Sequence, residues 1–373
     1  MTEPDPSEKS HKTSRLGALR HLLHPHQVRD SLTITSQPSL RNSALAGLQA
    51  SITAGIALPL ILLSPWADLI GFGALGALVA LFGRFAPAQQ RNGIVLRCAL
   101  LQTLAVLGMS AISWLGVPIE IQLAILALSC GAFFFATVSG GFGAPGALIF
   151  VFAAGAAMAP ADSVSVVFER TAATAIVAAL GWVVCAATEH FRLRATETQL
   201  SGEATRPLNH RLMAALRIAI GSAVAVFLSH ALGADHPAWA AMGAVAVMQG
   251  AHLHISMARA LQRMSGTVVG AILVWAILTQ EPSVWTIIAL LLVLQFATEL
   301  IIGFNYGLGQ ILVTPMALLM SHLAAPNIAG AALALERVID TALGAATGIV
   351  LAIIFSSLTD RHHLAQRHAE RKR

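Results

Sequence analysis

Two apolar segments of this chain open with the same pair of charged side chains. The segments read FERTAATAIVAALGWVVCA and LERVIDTALGAATGIVLA, and their charged pairs are Glu169–Arg170 and Glu336–Arg337. An arginine guanidinium presents a planar fork of donors that matches a carboxylate, so Arg170 and Arg337 are candidate contacts for an organic anion. Two alternatives stay open: each arginine reaches the lipid headgroups, or it forms a structural ion pair with the glutamate beside it.

Below Arg337 the last apolar segment carries a stripe of small and polar side chains. Asp340, Thr341 and Gly344 follow at helical spacings, so they share one face with the arginine. A carboxylate inside hydrocarbon costs about 3 kcal/mol when it is unpaired, so Asp340 needs Arg337 or a cavity. Such an acid carries the coupling proton of a pump or serves assembly alone. Ala173 stands at the equivalent place in the first segment, so the acid occurs in one half only.

A second pair of arginines, Arg97 and Arg263, is predicted at the start of the third apolar segment of each half. Thr267 lies on the helical face of Arg263, and Gly266 and Gly270 form a G-x-x-x-G step that indicates close contact with a neighbouring helix. We interpret this pair as anion contacts at the inner side of the membrane and the first pair as contacts at the outer side. The alternative is that the inner pair are ordinary positive residues near the interface.

Glu299 and two histidines are further candidates for chemistry. Glu299 lies inside an apolar run, opposite Val138 of the first half, and it carries a coupling proton or lies at the interface without a role. His252 and His254 are two residues apart, so on a helix they point apart, and no third metal ligand is evident. The sequence holds no phosphate-binding glycine loop, Walker motif or Ser-His-Asp set. We therefore expect neither an enzyme nor a cofactor or metal site.

Composition places most of the chain in lipid. Hydrophobic residues make up 56% of it and charged residues 11%, against about 25% charged residues in soluble domains. The three cysteines lie in apolar runs, which argues against a disulfide framework. A bilayer core about 30 Å thick needs about 20 apolar residues per helix. The sequence therefore predicts an all-α integral membrane protein with about twelve transmembrane helices, at 44–64, 67–83, 93–115, 119–137, 145–161, 168–188, 212–232, 237–250, 264–280, 284–303, 308–325 and 336–357.

The predicted helices fall into two sets of six, joined by a charged linker. Four short motifs occur in the same order in both sets, among them Trp66 against Trp239 and Arg97 against Arg263. Such order indicates an internal duplication. Because six is an even number, both copies enter the membrane from the same side, as parallel repeats. The predicted divisions are a polar N-terminal tail at 1–43, a first repeat at 44–188, a linker at 189–211, a second repeat at 212–357 and a basic tail at 358–373.

Basic residues set the predicted orientation. With both termini in the cytoplasm, all but two of the 23 lysines and arginines lie on the inner side. The two exceptions are Arg170 and Arg337. The polar first segment has no secretory signal core, so the first membrane helix is expected to do the targeting. The short spans at 67–83 and 237–250 indicate either broken helices around a site at the membrane midplane or helices extended by their flanks.

The second half resembles a known family. The run HPAWAAMGAVAVMQGAHLHISMARALQRMSGTVVGAIL is similar to the signature region of fusaric acid resistance and aromatic acid exporter proteins, with Arg263 and Thr267 in an R-x-x-G-T-x-x-G step. LERVIDTALGAATG resembles the R-x-x-D-T-x-x-G element of that family, with Arg337 and Asp340. The resemblance extends from about residue 40 to 357 and is sharp in the second half, since the first half lacks the equivalent Gly-Thr and Asp.

The resemblance implies an exporter. Members of that family move aromatic and other organic acids across the inner membrane, some with a periplasmic adaptor and an outer-membrane channel. Plant malate channels are similar in their six-helix membrane unit, which pairs as a dimer, so the two halves here are expected to form a pseudo-dimer. The partners implied are a small organic anion, the lipid bilayer and that adaptor system, with no nucleic acid. Export coupled to protons through Asp340 or Glu299 is the preferred hypothesis; a passive anion channel and a non-transporting membrane scaffold are the alternatives.

Overall fold

The computed structural model of this chain describes residues 14–193, 207–250, 252–324 and 330–370. These residues form helices and short turns, with no strand among them. The first half is taken below as α3–α8 and the second half as α9–α14. The helices are α1 (Arg15–Leu22), α2 (His26–Ser31), α3 (Leu40–Leu62), α4 (Ile70–Ala77), α5 (Ala88–Trp114), α6 (Ile119–Ser139), α7 (Leu148–Ala156), α8 (Val164–Ala187), α9 (Leu208–Ala231), α10 (Ala238–Met248), α11 (Leu253–Leu278), α12 (Val284–Ile301), α13 (Tyr306–Ala324), α14 (Gly330–Ile354) and α15 (Leu358–Glu370).

Within the described part of the chain, 8 helices are long and apolar enough to cross a membrane. They are α3, α5, α6, α8, α9, α11, α12 and the Ala332–Ile354 portion of α14. The prediction of an all-α, multi-pass membrane protein is therefore confirmed. The count of twelve crossings and the two repeats stay predictions.

The other predicted spans coincide with α4, α7, α10 and α13. Helix α4 is extended by 3-10 turns at Ala67–Leu69 and Leu78–Leu81, and α13 contains Pro315. Helix α10 has 11 residues, which at about 1.5 Å per residue gives roughly 16 Å, against a bilayer core of about 30 Å. Every residue of α4 is buried, and α10 is buried from Ala238 to Val247. Helices α4 and α10 therefore lie in the core of the molecule, and both interpretations of the short spans 67–83 and 237–250 stay open.

Serines and prolines define where the long helices begin. Ser39, Ser163 and Ser283 are N-caps whose hydroxyls accept a backbone N–H from the first turn of α3, α8 and α12. Prolines precede α5, α6 and α9, where a missing N–H removes no helical hydrogen bond. Since these signals precede the apolar run, most long helices begin a few residues before the predicted span. Helix α11 differs most, because it begins at Leu253 rather than at 264.

The long helices pack in pairs between the halves and within them. Helix α3 packs against α12, and α6 packs against α9, so the first and fourth helices of each half contact those of the other half. Both contacts are close at a glycine: a Cβ on Gly47 would lie 3.0 Å from Glu299 Cβ, and one on Gly131 would lie 2.6 Å from the Ala215 carbonyl oxygen. Within the halves, α5 and α4 pack against α8, as α11 and α10 pack against α14.

The segments outside these helices are partly ordered against the membrane unit. The predicted tail at 1–43 includes α1, α2 and the start of α3, so its boundary with the first repeat falls inside a helix. Ala18 and Leu22 of α1 form a small apolar cluster with Leu253, Ile353 and Leu364. Helix α15 within 358–373 takes part in the same cluster. Residues 194–206 of the predicted linker lie outside the described residues.

Candidate functional site: a buried cation group in the second half

Arg337 lies in the interior of the second half, in α14. Its side chain belongs to a residue that is 1% exposed, and its guanidinium carbon lies 5.0 Å from the centre of the Trp239 ring. The Nη1 atom is 3.9 Å from Met242 Sδ, and the Nε atom has no hydrogen-bond partner. Arg337 therefore does not extend to the lipid headgroups, which excludes the first of the two alternative interpretations for this residue.

Asp340 lies one turn further along α14 and is equally buried. Its Oδ1 atom accepts a hydrogen bond from the Ser229 hydroxyl of α9 at 2.7 Å, and its Oδ2 atom has no partner. Thr341, beside it, is 1% exposed and its hydroxyl is also unpartnered. The stripe predicted below Arg337 therefore faces the protein interior, with polar atoms that are not used by neighbouring side chains.

Arg263 lies in the third turn of α11 and is 2% exposed. Its Nη1 atom donates to the Tyr306 hydroxyl at 2.9 Å and to Gln310 Oε1 at 3.4 Å, both on α13, whereas its Nε atom has no partner. Thr267, one turn along, is 1% exposed with an unpartnered hydroxyl. Sequence reasoning missed Tyr306 and Gln310, although Tyr306 is the single tyrosine of the chain and stands at the end of an apolar run.

Glycines bring α11 and α13 together at this point. A Cβ on Gly266 would lie 2.6 Å from Gln310 Cβ, and one on Gly270 would lie 2.7 Å from Thr314 Cβ. Real Cβ atoms do not approach so closely, so only glycine fits at either place. The close helix contact predicted from the G-x-x-x-G step is confirmed.

The two arginines and the aspartate are buried on two helices that pack together. Arg263 lies on α11 and Arg337 and Asp340 lie on α14, and these helices contact each other. We call Arg263, Arg337, Asp340, Thr267 and Thr341 the buried cation group. The sequence predicts Arg263 near the inner surface and Arg337 near the outer one. The structure buries both side chains in the second half, and their depths in the membrane stay predictions. The early start of α11 places Arg263 inside the helix rather than at its end.

The equivalent arginines of the first half have different surroundings. Arg170 is partly exposed, and its Nη1 and Nη2 atoms donate to the carbonyl oxygens of Ala159 and Pro160 at 2.8 and 2.7 Å. Arg97 is exposed; its Nε donates to Gly93 in its own helix, at 3.0 Å. Arg97 and Arg263 therefore differ in burial, and their equivalent depths in the membrane stay a prediction. We propose no role in transport for Arg97, which bonds to its own helix, and a role for Arg170 stays a prediction.

Equivalent residues of the two halves are separated by a number of positions that the comparison of short motifs did not identify. The Arg170 guanidinium lies 5.3 Å from the Phe72 ring, as Arg337 lies 5.0 Å from Trp239. Phe72 and Trp239 are separated by the same 167 positions as Arg170 and Arg337 (239 − 72 and 337 − 170). Trp66, expected to match Trp239, is 52% exposed, whereas Trp239 is 4% exposed. The predicted match of the two tryptophans is therefore wrong, because Phe72 takes the equivalent place.

Glu299 forms an ion pair between the halves. Its carboxylate contacts the Arg84 guanidinium from the turn before α5, and the two side chains are 6% and 8% exposed. Glu299 therefore does not lie idle at the interface, as one alternative held. A proton on Glu299 would leave Arg84 buried without its counterion, which is costly in a low dielectric.

A large cavity lies beside the buried cation group, at the boundary of the halves. It has a volume of about 900 Å³, near the upper end of ligand pockets, which span roughly 300–1,000 Å³. Trp239 and Met242 line it and are also the residues that contact Arg337. Arg170 borders the cavity from the first half. No sequence pattern predicts this space, since its walls come from helices that are distant along the chain.

The histidine rings near α11 lie close together, although their spacing on a helix predicts that they point apart. His252 is the extended N-cap residue of α11 rather than part of the helix. Its ring therefore stacks on His254 with centroids 5.8 Å apart, and His363 of α15 lies 5.2 Å from His252. The expectation that the two histidines point apart is wrong for this reason. In the described ranges, no group of three or more His, Cys, Asp or Glu side chains has the arrangement of a metal site.

Comparison with known proteins finds a similarity to one family in the second half. Residues 224–351 match the model of the family described as fusaric acid resistance protein-like. The chain is 31% identical over 139 residues to the uncharacterized membrane protein YvaC of Bacillus subtilis (strain 168), a match that covers 37% of this chain and 22% of that protein. The chain thus spans about a fifth of the length of that curated relative. No solved structure matches the chain. The resemblance to the fusaric acid resistance family is confirmed for the part of the chain that contains Arg263, Arg337 and Asp340.

Proposed function

We propose that this protein moves organic anions outward across the inner membrane, and that the anion binds at the buried cation group. The observation that carries the proposal is that Arg263, Arg337 and Asp340 are at most 2% exposed and that each keeps a polar atom for which the described residues supply no partner. Within the part of the chain that the structure describes, these atoms are the two arginine Nε atoms and one Asp340 oxygen. Unpaired buried charge is expensive, and a carboxylate ligand would supply both the charge and the acceptors.

An anion needs no ATP to leave the cell. Moving one negative charge outward across an inside-negative potential of 100 mV is favoured by about 2.3 kcal/mol. The family name points to acids such as fusaric acid, and the aromatic walls near Arg337 suit a ligand with a flat apolar body. Aromatic and other organic acids are therefore the substrates we propose. No catalytic role is assigned to any residue.

Proton coupling is proposed for Asp340 rather than Glu299. A proton on Asp340 removes the single negative charge of the buried cation group and so strengthens its attraction for an anion. Glu299 is already committed to Arg84 in an ion pair between the halves. Proton binding at Asp340 would thus make anion binding depend on pH, with stronger binding at lower pH.

The architecture proposed for this function is two parallel six-helix repeats with both termini in the cytoplasm. The support is that the first helix of each half packs against the fourth helix of the other half: α3 packs against α12, and α9 packs against α6. The constant separation of 167 positions between Phe72–Arg170 and Trp239–Arg337 supports the same arrangement. In the first half, Ala173 stands at the position that corresponds to Asp340, so that half lacks the acid of the buried cation group. We therefore propose one transport route, through the second half.

The proposed function is tested with purified protein in liposomes. Radiolabelled aromatic and aliphatic acids are offered with the membrane potential and the pH gradient set independently. An exporter coupled to protons gives flux that responds to both gradients, whereas a passive channel gives flux that follows the potential alone. A scaffold subunit gives no more flux than liposomes without protein, which would refute the proposal. Because no adaptor or outer-membrane channel is added, flux in this assay shows whether the inner-membrane step needs one.

A further inference from the structure

Trp239 contacts both the cavity and the buried cation group. Its ring and the side chain of Met242 line the cavity, and the same two side chains contact Arg337 behind them. Both residues are buried, at 4% and 6% exposure. Trp239 and Met242 are therefore side chains that Arg337 and the cavity share.

The glutamate that precedes Arg337 positions this tryptophan. The Glu336 carboxylate accepts the His236 backbone N–H at 2.7 Å and lies 2.9 Å from His236 Nδ1. The His236 ring in turn stacks on Trp239, with centroids 4.5 Å apart and planes 10° from parallel. The pair that opens the last apolar segment thus has two tasks: Arg337 belongs to the buried cation group, and Glu336 fastens the start of α10 and its tryptophan to α14.

The cavity itself has the chemistry of a site for an apolar body. Large apolar side chains from both halves form most of its wall. The three aspartates that border it are all exposed, and the Arg170 fork is occupied by two backbone carbonyls. Binding there would depend on apolar contact, while the negative rim would disfavour return of a carboxylate. The wall includes Phe72, Leu75, Trp114, Phe152, Met158 and Trp239, and the rim Asp68, Asp162 and Asp235.

We propose that this cavity is a second ligand site, which holds the apolar body of an organic anion leaving the buried cation group, and that Trp239 is the gate between the two sites. The proposal rests on the proposed function for the direction of travel. The cavity and the gate are testable without transport. Met242 completes the gate, and His236 and Glu336 are positioning residues for Trp239.

Ligand binding in the cavity is measured by thiol labelling. Ser321 lines the cavity on α13 and is partly buried, while the three native cysteines are buried. In a Ser321→Cys variant of the full chain in liposomes, an impermeant thiol reagent should label the new cysteine. The probe 2-naphthoate should slow this labelling, and acetate at the same concentration should not. Equal protection by the two acids, or none by either, would overturn the second site.

The gate is measured by access to the buried cation group. Thr341 is 1% exposed, so a Thr341→Cys variant should react slowly with a small impermeant reagent added outside. Because a closed gate opens for about 0.1–10% of the time in a typical two-state equilibrium, removing it should speed the reaction by about tenfold or more. We therefore expect faster labelling in Thr341→Cys/Trp239→Ala, and no change in the control Thr341→Cys/Trp66→Ala.

Two further variants test the gate by the same labelling reaction. If Trp239→Ala does not give a monodisperse protein, Trp239→Leu fills part of the space and should show the same increase to a smaller degree. His236→Ala should give an intermediate rate, since it removes the stacked ring but leaves Trp239 present. Labelling of Thr341→Cys that is unchanged in Trp239→Ala and Trp239→Leu would refute the gate. Absence of anion flux in the wild type with these labelling results intact would refute the proposed function instead.

Discussion

At the scale of single residues, the charge balance of the buried cation group decides what its variants do. Arg337→Ala removes a positive charge and leaves Asp340 buried, where Ser229 supplies its one hydrogen bond. Breaking a buried charge pair costs about 3–5 kcal/mol, so the variant should fold poorly. The double variant Arg337→Ala/Asp340→Asn should recover protein level, measured by fluorescence size exclusion, but not anion flux.

The matched control for this prediction is Arg170→Ala. Arg170 is partly exposed and bonded to backbone carbonyls, so its loss should cost less protein than the loss of Arg337. Recovery of both level and flux in the double variant would show that Arg337 and Asp340 are only a structural pair. In that case the anion site would have to lie elsewhere.

Variants of the two acids considered for proton coupling, Asp340 and Glu299, should differ in the pH dependence of flux. Asp340→Asn should remove the dependence of flux on pH, because the charge that titrates is gone. Glu299→Gln should keep that dependence but lower the melting temperature, since Arg84 loses its counterion. His236 and Glu336 also act on Asp340, so His236→Gln is the control that should retain the pH dependence. A flux that loses its pH dependence in Glu299→Gln and keeps it in Asp340→Asn would reverse the assignment.

The sequence predicted these residues better than it predicted their surroundings. The stripe of Arg337, Asp340 and Thr341 follows from helical spacing alone, and the structure places all three in the interior. The partners of Arg263 could not be predicted, because Tyr306 and Gln310 are 43 and 47 residues away along the chain. Contacts between helices depend on how the helices pack, which local spacing does not encode.

At the scale of the elements, glycines decide how closely α10 and α14 approach. A Cβ on Gly344 would overlap the Ala240 carbonyl oxygen, and one on Gly243 would lie 3.0 Å from Gly344 Cα. Gly344→Ala should therefore force the two helices apart, at a cost of roughly 1–3 kcal/mol for overpacking. The expected result is a lower melting temperature together with a loss of anion flux.

The control for this substitution is Gly108→Ala in α5, where a Cβ would meet nothing within 4 Å. That change should leave the melting temperature the same or raise it slightly, since alanine favours a helix over glycine by about 1 kcal/mol. Equal melting temperatures for the two variants would show that α10 and α14 are not held together by close packing.

Helix boundaries show where apolar periodicity stops being informative. The predicted span 264–280 begins where the run becomes apolar, whereas α11 already begins at Leu253. The prediction missed the first turns of this helix because they carry polar residues. This error placed Arg263 at a helix end. The match of Trp66 with Trp239 is wrong for another reason. It compared residue types, two tryptophans, rather than the constant spacing that relates Phe72 to Trp239.

At the scale of the whole molecule, the orientation in the membrane is a direct prediction. The turn between α9 and α10 contains Asp235, and α15 contains Ala365. With both termini in the cytoplasm, a cysteine at Ala365 should be labelled only from the inner side and one at Asp235 only from the outer side. The measurement is labelling of right-side-out and inverted vesicles with an impermeant reagent. A cytoplasmic Asp235 would invert the proposed orientation of the cavity and its gate.

The measurement that tests the buried cation group most directly is anion flux in liposomes containing Arg263→Lys, with Arg97→Lys as its matched control. Lysine keeps the positive charge but loses the guanidinium fork. Loss of one bidentate contact of about 1.4 kcal/mol corresponds to a tenfold weaker interaction. We predict that flux of an aromatic acid falls by about tenfold in Arg263→Lys at unchanged protein level, and stays at the wild-type value in Arg97→Lys. Equal flux in the two variants would contradict an anion site at Arg263 in the buried cation group.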